Sequence, residues 1–193
     1  MKKVLSEVLL EQLQEDVREI ILKADQLQRM TDSQLKQVPG KDKWSIIEII
    51  DHLNYYSRFY LTEIEQKISH YEAGPAKDFK PGLLGNYFTK IMKPKEGNKI
   101  SNKMSAPKNA IPSSSINVSE TLSEFITHQQ HLINLLQIAK ACNLNAIRIP
   151  TSLSKWIGLK LGDTFRFLIA HQQRHFVQIN NVIIYLRENQ SSD

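Results

Sequence analysis

Cysteine is almost missing from this 193-residue chain. The single Cys142 cannot form an internal disulfide, so a disulfide-framework protein is excluded. Glycine and proline are also sparse, with seven of each, and long stretches carry neither. Together with abundant Leu, Ile, Gln and Lys, this favours helices. No apolar run reaches the ~18 residues that a membrane span needs. The N-terminus starts basic, but Glu7, Glu11, Glu15 and Asp16 interrupt any signal-like apolar stretch. The expectation is a soluble, cytoplasmic protein with no membrane partner, forming a single domain over residues 1–193.

Arginine is missing from the most basic segment. Residues 76–115 contain eight Lys against Asp78 and Glu96, and therefore hold the whole excess of the +5 net charge. Bidentate Arg contacts are lacking there, and aromatics for base stacking are few. The composition argues against nucleic acid as a partner and for a solvated loop.

Four amphipathic segments are present. Leu5 to Met30 carries one apolar stripe at helical spacing, and "VPGKDK" ends that region. A second helix begins at "WSIIEIIDHL", where Ser45 and Glu48 form a capping box, and runs to about Tyr71. Residues 74–116 hold five of the seven prolines and read as a long connection with a short helix around "LLGNYFTKIM". A third helix spans about Val118 to Cys142, with Ser119 as a candidate N-cap. "NLNAIRIPTSLSKWIGLK" reads as a second connection, and a fourth helix runs from Gly162–Asp163 to about Arg187. The fold expected is all-α, a four-helix bundle with a long insert between the second and third helices.

"HQQRH" is the chemically informative stretch. His171 and His175 are four apart, hence ~40° apart on one helix face, within the apolar stripe. Buried imidazoles need partners. A divalent metal would satisfy both; ordinary hydrogen bonds in the core would do so too. The zinc-protease pattern H-E-x-x-H is not met, because residue 172 is Gln. A third ligand must come from elsewhere. His52 is the leading candidate, roughly 90° from the centre of the second helix's stripe. His128 flanks the third helix's stripe, His131 points to solvent, and His70 lies near a helix end.

"KWSIIEIIDHL" followed by "LGDTFRFLIAHQQRHFVQI" resembles the DinB/YfiT superfamily. The matching positions are Trp44, Ser45, Glu48, His52 and Leu53, then His171, His175 and Gln178. The resemblance implies a four-helix bundle in up-down-down-up order and a metal held by His52, His171 and His175. It implies a divalent ion (Zn, Ni, Mn or Fe), frequent homodimers, and transfer of a small thiol to an electrophile or hydrolysis of a small conjugate. The alternative is a non-catalytic, metal-stabilised binding or stress-response module. The 74–116 insert is longer than expected for compact members.

The remaining motif residues have simpler expectations, and no catalytic residue is assigned. Glu48 serves the helix cap. Trp44 packs the helix start or a neighbouring loop, and Tyr55 and Tyr56 are core or rim residues. Gln178 either orients a ligand or bridges helices. Arg174 is a surface or interface residue, and Cys142 is structural.

Overall fold

The computed structural model describes residues 2–190 apart from 96, 98, 99, 101–103 and 114. Lys99, Lys103 and Glu96 of the basic segment therefore lie outside the described residues. The chain runs through β1 (Val4–Leu5), α1 (Ser6–Leu27), α2 (Asp32–Lys36), α3 (Ile46–Ser69), β2 (Asp78–Phe79), α4 (Leu83–Met92), α5 (Val118–Ile138), β3 (Arg148–Thr151), β4 (Ser154–Lys160) and α6 (Leu161–Gln190). A 3-10 turn at Lys108–Ala110 precedes α5.

The helix ends follow local chemistry. At the start of α3 the expected capping box is complete: Ser45 Oγ accepts from the Glu48 amide, and Glu48 Oε2 accepts from the Ser45 amide at 2.7 Å. The cap of α5 differs from the expectation. Asn117, not Ser119, is the N-cap, and its Oδ1 accepts from the Glu120 amide at 3.3 Å. An Asn side chain satisfies the free first-turn donor as well as a Ser does. Leu5 falls outside α1 because it pairs with Asp78 in a two-residue ladder.

Cross-helix contacts give the direction of each helix. Gln14 meets Gln137, and Glu11 meets Lys140, so α1 and α5 are antiparallel. Asn54 bonds Thr121, Arg58 bonds Glu124, and Glu65 lies 3.5 Å from His131, so α3 and α5 are parallel. Tyr56 contacts His171 and Tyr60 contacts Phe167, so α3 and α6 are antiparallel. In chain order the four long helices run up, down, down, up. Their shared core includes Val17, Ile20, Ile49, Leu53, Phe125 and Phe165, all at most 1% exposed.

The parallel pairing explains the long insert. After α3 the chain must return ~36 Å, the length of a 24-residue helix, before α5 can start. The expected short helix at "LLGNYFTKIM" is α4, and it packs on the start of α6. Gly82 donates its amide to Asp163 Oδ2 at 2.7 Å, and Phe88 meets Phe167.

Two glycines allow this close approach. A Cβ at Gly85 would lie 2.4 Å from the Asp163 Cβ, and one at Gly162 would lie 2.6 Å from the Phe79 ring. Neither neighbour is the free end of a flexible chain. Overpacking of this kind typically costs about 1–3 kcal/mol. Gly85→Ala and Gly162→Ala are each expected to lower the unfolding free energy of metal-free protein by that amount, read as a lower urea midpoint. Wild-type midpoints in both would refute the tight seating of α4 and Phe79 on α6.

The stretch from 143 to 160 departs from the expected plain connection. It forms the β3–β4 hairpin, in which Arg148 pairs with Lys160 and Pro150 with Gly158, with a register shift at Pro150/Thr151. Ile149 and Thr151 point inward at alternate positions, the period of a half-buried strand. Pro150 sits at the irregularity, where a missing amide donor is tolerated. No described helix is long and apolar enough to cross a membrane.

Candidate metal centre

His52 lies near the start of α3, and His171 and His175 lie mid-way along α6. The antiparallel pairing of these helices brings the three together. One nitrogen from each falls within 4.8 Å of the others, and no further such group of His, Cys, Asp or Glu occurs among the described residues. The rings are 4.6–5.3 Å apart between centroids. His171 Nε2 is 3.0 Å from His175 Nε2. His52 and His171 are each only 4% exposed.

Hydrogen bonds to the outer nitrogens decide the tautomers. His52 Nδ1 donates to the Ala110 carbonyl at 2.7 Å. His175 Nδ1 donates to Gln178 Oε1 at 2.9 Å. Both rings therefore hold their Nδ1 protons, and their Nε2 lone pairs remain for another partner. His171 Nδ1 has no hydrogen-bond partner among the described residues. Burial lowers the pKa of all three: His52 falls below its ordinary value, His171 falls well below, and His175 drops to about 3. Mutual repulsion adds to the effect at His171 and His175. The three imidazoles are neutral at ordinary pH.

This donor set fits a divalent metal. Neutral imidazole is the form that ligates. Two Nε2 atoms at 3.0 Å with one proton at most between them leave lone pairs unused, and a cation would take all three. Zinc-to-nitrogen bonds of about 2.0–2.1 Å in a tetrahedral site place neighbouring ligand atoms about 3.3–3.4 Å apart; the His171 and His175 Nε2 atoms are 3.0 Å apart, and the His52 nitrogen lies within 4.8 Å of both.

Aromatic rings brace the cluster. Trp44 lies 4.9 Å from His52, Tyr56 meets both His52 and His171 edge-on, and Phe167 stacks on His171. Burial pushes the Tyr56 hydroxyl up to about 12, so it stays protonated. Trp44 thus does more than pack the helix start. Glu48 is committed to its cap, because the same Oε2 also accepts from Ser45 Oγ at 2.7 Å. A polar cleft of about 1010 Å³ runs past Ser45, Glu48, Asp51 and Arg58, but none of the three histidines lines it.

The other candidates have separate roles. His128 bonds Asn54 Oδ1 at 3.1 Å and lies outside the cluster. His131 pairs with Glu65 and is about one-third exposed at its side chain, so it is less open than expected. His70 is exposed and bonds Ser69 and the Gln66 carbonyl. Gln178 Oε1 accepts from His175 Nδ1, so of its two expected roles the orienting one fits. Arg174, expected at the surface or an interface, is 7% exposed, so the surface alternative is overturned; α6 is covered by α1, α3 and α4. Cys142 is buried, and burial raises its thiol pKa, in keeping with a structural role.

The crossover completes the centre. Besides the Ala110 carbonyl on His52, Asn109 Nδ2 donates to the Tyr55 hydroxyl and the Ser113 amide donates to Asp51. A backbone carbonyl carries no residue-type signal, so this contact was not readable from sequence.

The DinB superfamily profile matches residues 10–179. A solved structure of YfiT from Bacillus subtilis, described as a probable metal-dependent hydrolase with an unusual four-helix bundle topology, superposes with a TM-score of 0.53. It is 16% identical to this chain, and the match covers 90% of this chain and 85% of YfiT. That likeness is one of fold. No curated protein sequence matches the chain.

Proposed function

This chain belongs to the DinB superfamily, and on that footing we propose that it is a metal-dependent enzyme. His52, His171 and His175 hold one divalent ion, and the reaction is hydrolysis of a small conjugate or transfer of a small thiol to an electrophile. The observation that carries this reading is the buried three-histidine cluster, with the His171 and His175 Nε2 atoms 3.0 Å apart and the outer nitrogens of His52 and His175 held as donors. Three ligands leave coordination positions open, whereas structural zinc sites are usually closed by four protein ligands.

When bound, the ion supplies Lewis acidity toward a water or thiol nucleophile. The chain's own residues orient and shield. Ala110 and Gln178 fix two ligands, while Trp44, Tyr56 and Phe167 exclude water around them. No acidic or further His side chain joins the cluster among the described residues, and Glu48 is held in its cap. The chemistry therefore depends on the ion rather than on a side-chain base. YfiT's description as a probable metal-dependent hydrolase supports the hydrolytic branch.

Zinc-, nickel- and manganese-loaded protein should turn over members of a panel of thiols with alkylating electrophiles, or of small amide and thiol conjugates. The rate should fall at least ~100-fold in His171→Ala, a loss of about 2.7 kcal/mol in transition-state stabilisation. Full metal occupancy without turnover across the panel would replace this reading with the metal-stabilised binding module.

A further inference from the structure

Six buried side-chain polar atoms lack a hydrogen-bond partner among the described residues. They are Ser57 Oγ, both amide atoms of Gln129, both amide atoms of Gln172, and His171 Nδ1. Ser57 and Gln172 are 1% exposed, Gln129 is 0% exposed and His171 is 4% exposed. Such groups are costly to leave unsatisfied, and six scattered through one small core would be unusual.

They are not scattered. The Phe125–Phe176 contact sets the register of α5 against α6. One turn further along α5 is Gln129. One turn back along antiparallel α6 is Gln172. The two amides therefore lie at one height in the bundle. Tyr56 opposite His171 and Tyr60 opposite Phe167 put Ser57 at the height of His171. Asn54 bonds both the Thr121 carbonyl and His128, so Ser57, three residues on, falls level with the stretch 124–131 of α5, which includes Gln129. All four side chains are buried, and these helix registers put them at similar heights in the bundle.

His171 differs from the other two proposed ligands in a telling way. His52 has a carbonyl on its outer nitrogen and His175 has an amide oxygen. Metal-ligating histidines almost always have such a partner, which sets ring orientation and tautomer. His171 alone lacks one among the described residues, and Gln172, next to it in the chain, has unused donors and acceptors as well. A buried polar site of this kind holds water when two or more partners converge on it.

We propose that Ser57, Gln129 and Gln172 hold ordered water behind the metal centre, and that this water accepts the Nδ1 proton of His171 so that Nε2 faces the ion. The three are positioning residues acting through His171. This inference rests on the metal-centre reading above.

The test compares zinc affinity, by chelator competition, in wild type, Gln129→Leu, Gln172→Leu and the milder Ser57→Ala. Visible absorption of the cobalt-loaded proteins and thermal melts of the metal-free proteins accompany it. The two Leu variants should bind zinc at least ~10-fold more weakly and shift the cobalt bands. Their metal-free melts should stay near wild type, because each Leu fills a similar volume and the water bonded to the lost amide can leave with it. Ser57→Ala should move affinity in the same direction by less.

Unchanged affinity and cobalt bands in all three variants would overturn the water layer and leave the metal centre standing. Weaker zinc binding that merely tracks a lost or lowered metal-free melt would overturn the positioning role. Failure of wild type itself to bind zinc or cobalt would overturn the metal reading and this inference with it.

Discussion

A His52→Ala, His171→Ala double variant is expected to carry no divalent metal, against about one ion per chain in wild type, as read by elemental analysis. The expectation follows from the geometry on α3 and α6. The cluster draws its nitrogens from two helices, and the described residues offer no fourth His, Cys or carboxylate to replace a lost one. Removing two ligands leaves His175 alone, and a single imidazole does not retain an ion through dialysis. His131→Ala is the matched control: it pairs with Glu65 outside the cluster and should keep full occupancy. Wild type without metal, even after incubation with Zn, Ni and Mn, would remove the metal centre and the enzymatic reading together. The bundle would be untouched, since its helix directions also rest on contacts outside the cluster, such as Tyr60–Phe167, Asn54–Thr121 and Gln14–Gln137.

Metal-free protein should lose stability in mild acid. Burial lowers the pKa of His52, His171, His175 and His128 in the folded chain from the ordinary value of 6.5. Below that value the unfolded chain takes up protons that the folded chain refuses, so unfolding gains. The stability is complete above about pH 6.5 and falls as pH drops toward the lowered values, by up to about 1.4 kcal/mol per pH unit for each histidine. Asp16 and Asp163 have carboxyl pKa values raised by burial and act in the opposite sense above their ordinary 3.8. The loss expected between about pH 6.5 and 5 is the histidine effect net of theirs. Near pH 7.5, zinc at about 1,000 times its dissociation constant should add about 4 kcal/mol, which raises the melting temperature by about 8–16 °C for a chain of this size. A chelator should reverse the gain. A flat metal-free profile from pH 7 to 5, by urea titration, would refute the buried neutral cluster.

Much of the architecture is local and therefore written in residue order. The apolar stripes predict all four long helices, and the α3 capping box and the short helix at "LLGNYFTKIM" form where expected, because a helix and its cap depend on neighbours within one turn. The family pattern selects His52, His171 and His175, and these are the residues the fold brings together. The periodicity of "HQQRH" supplies a shared face but no partner for it.

Positions that depend on what packs against a helix are a different matter. The helical wheel puts His52 well off the stripe centre of α3, yet it is buried. α3 is covered by α5, by α6 and by the crossover, so more than one face is apolar or enclosed. Arg174 is buried for the same kind of reason. Pro150 and a short apolar run conceal the β3–β4 hairpin, whose strands hold only against each other. The parallel pairing of α3 with α5 is likewise a long-range outcome. It forces the crossover, and the crossover carries the Ala110 carbonyl to His52. Helix, cap and ligand identity follow from side chains and their neighbours in sequence. Helix direction, the burial of the ligands and the backbone group that sets a tautomer follow from contacts 58 or more residues apart, where no local preference acts.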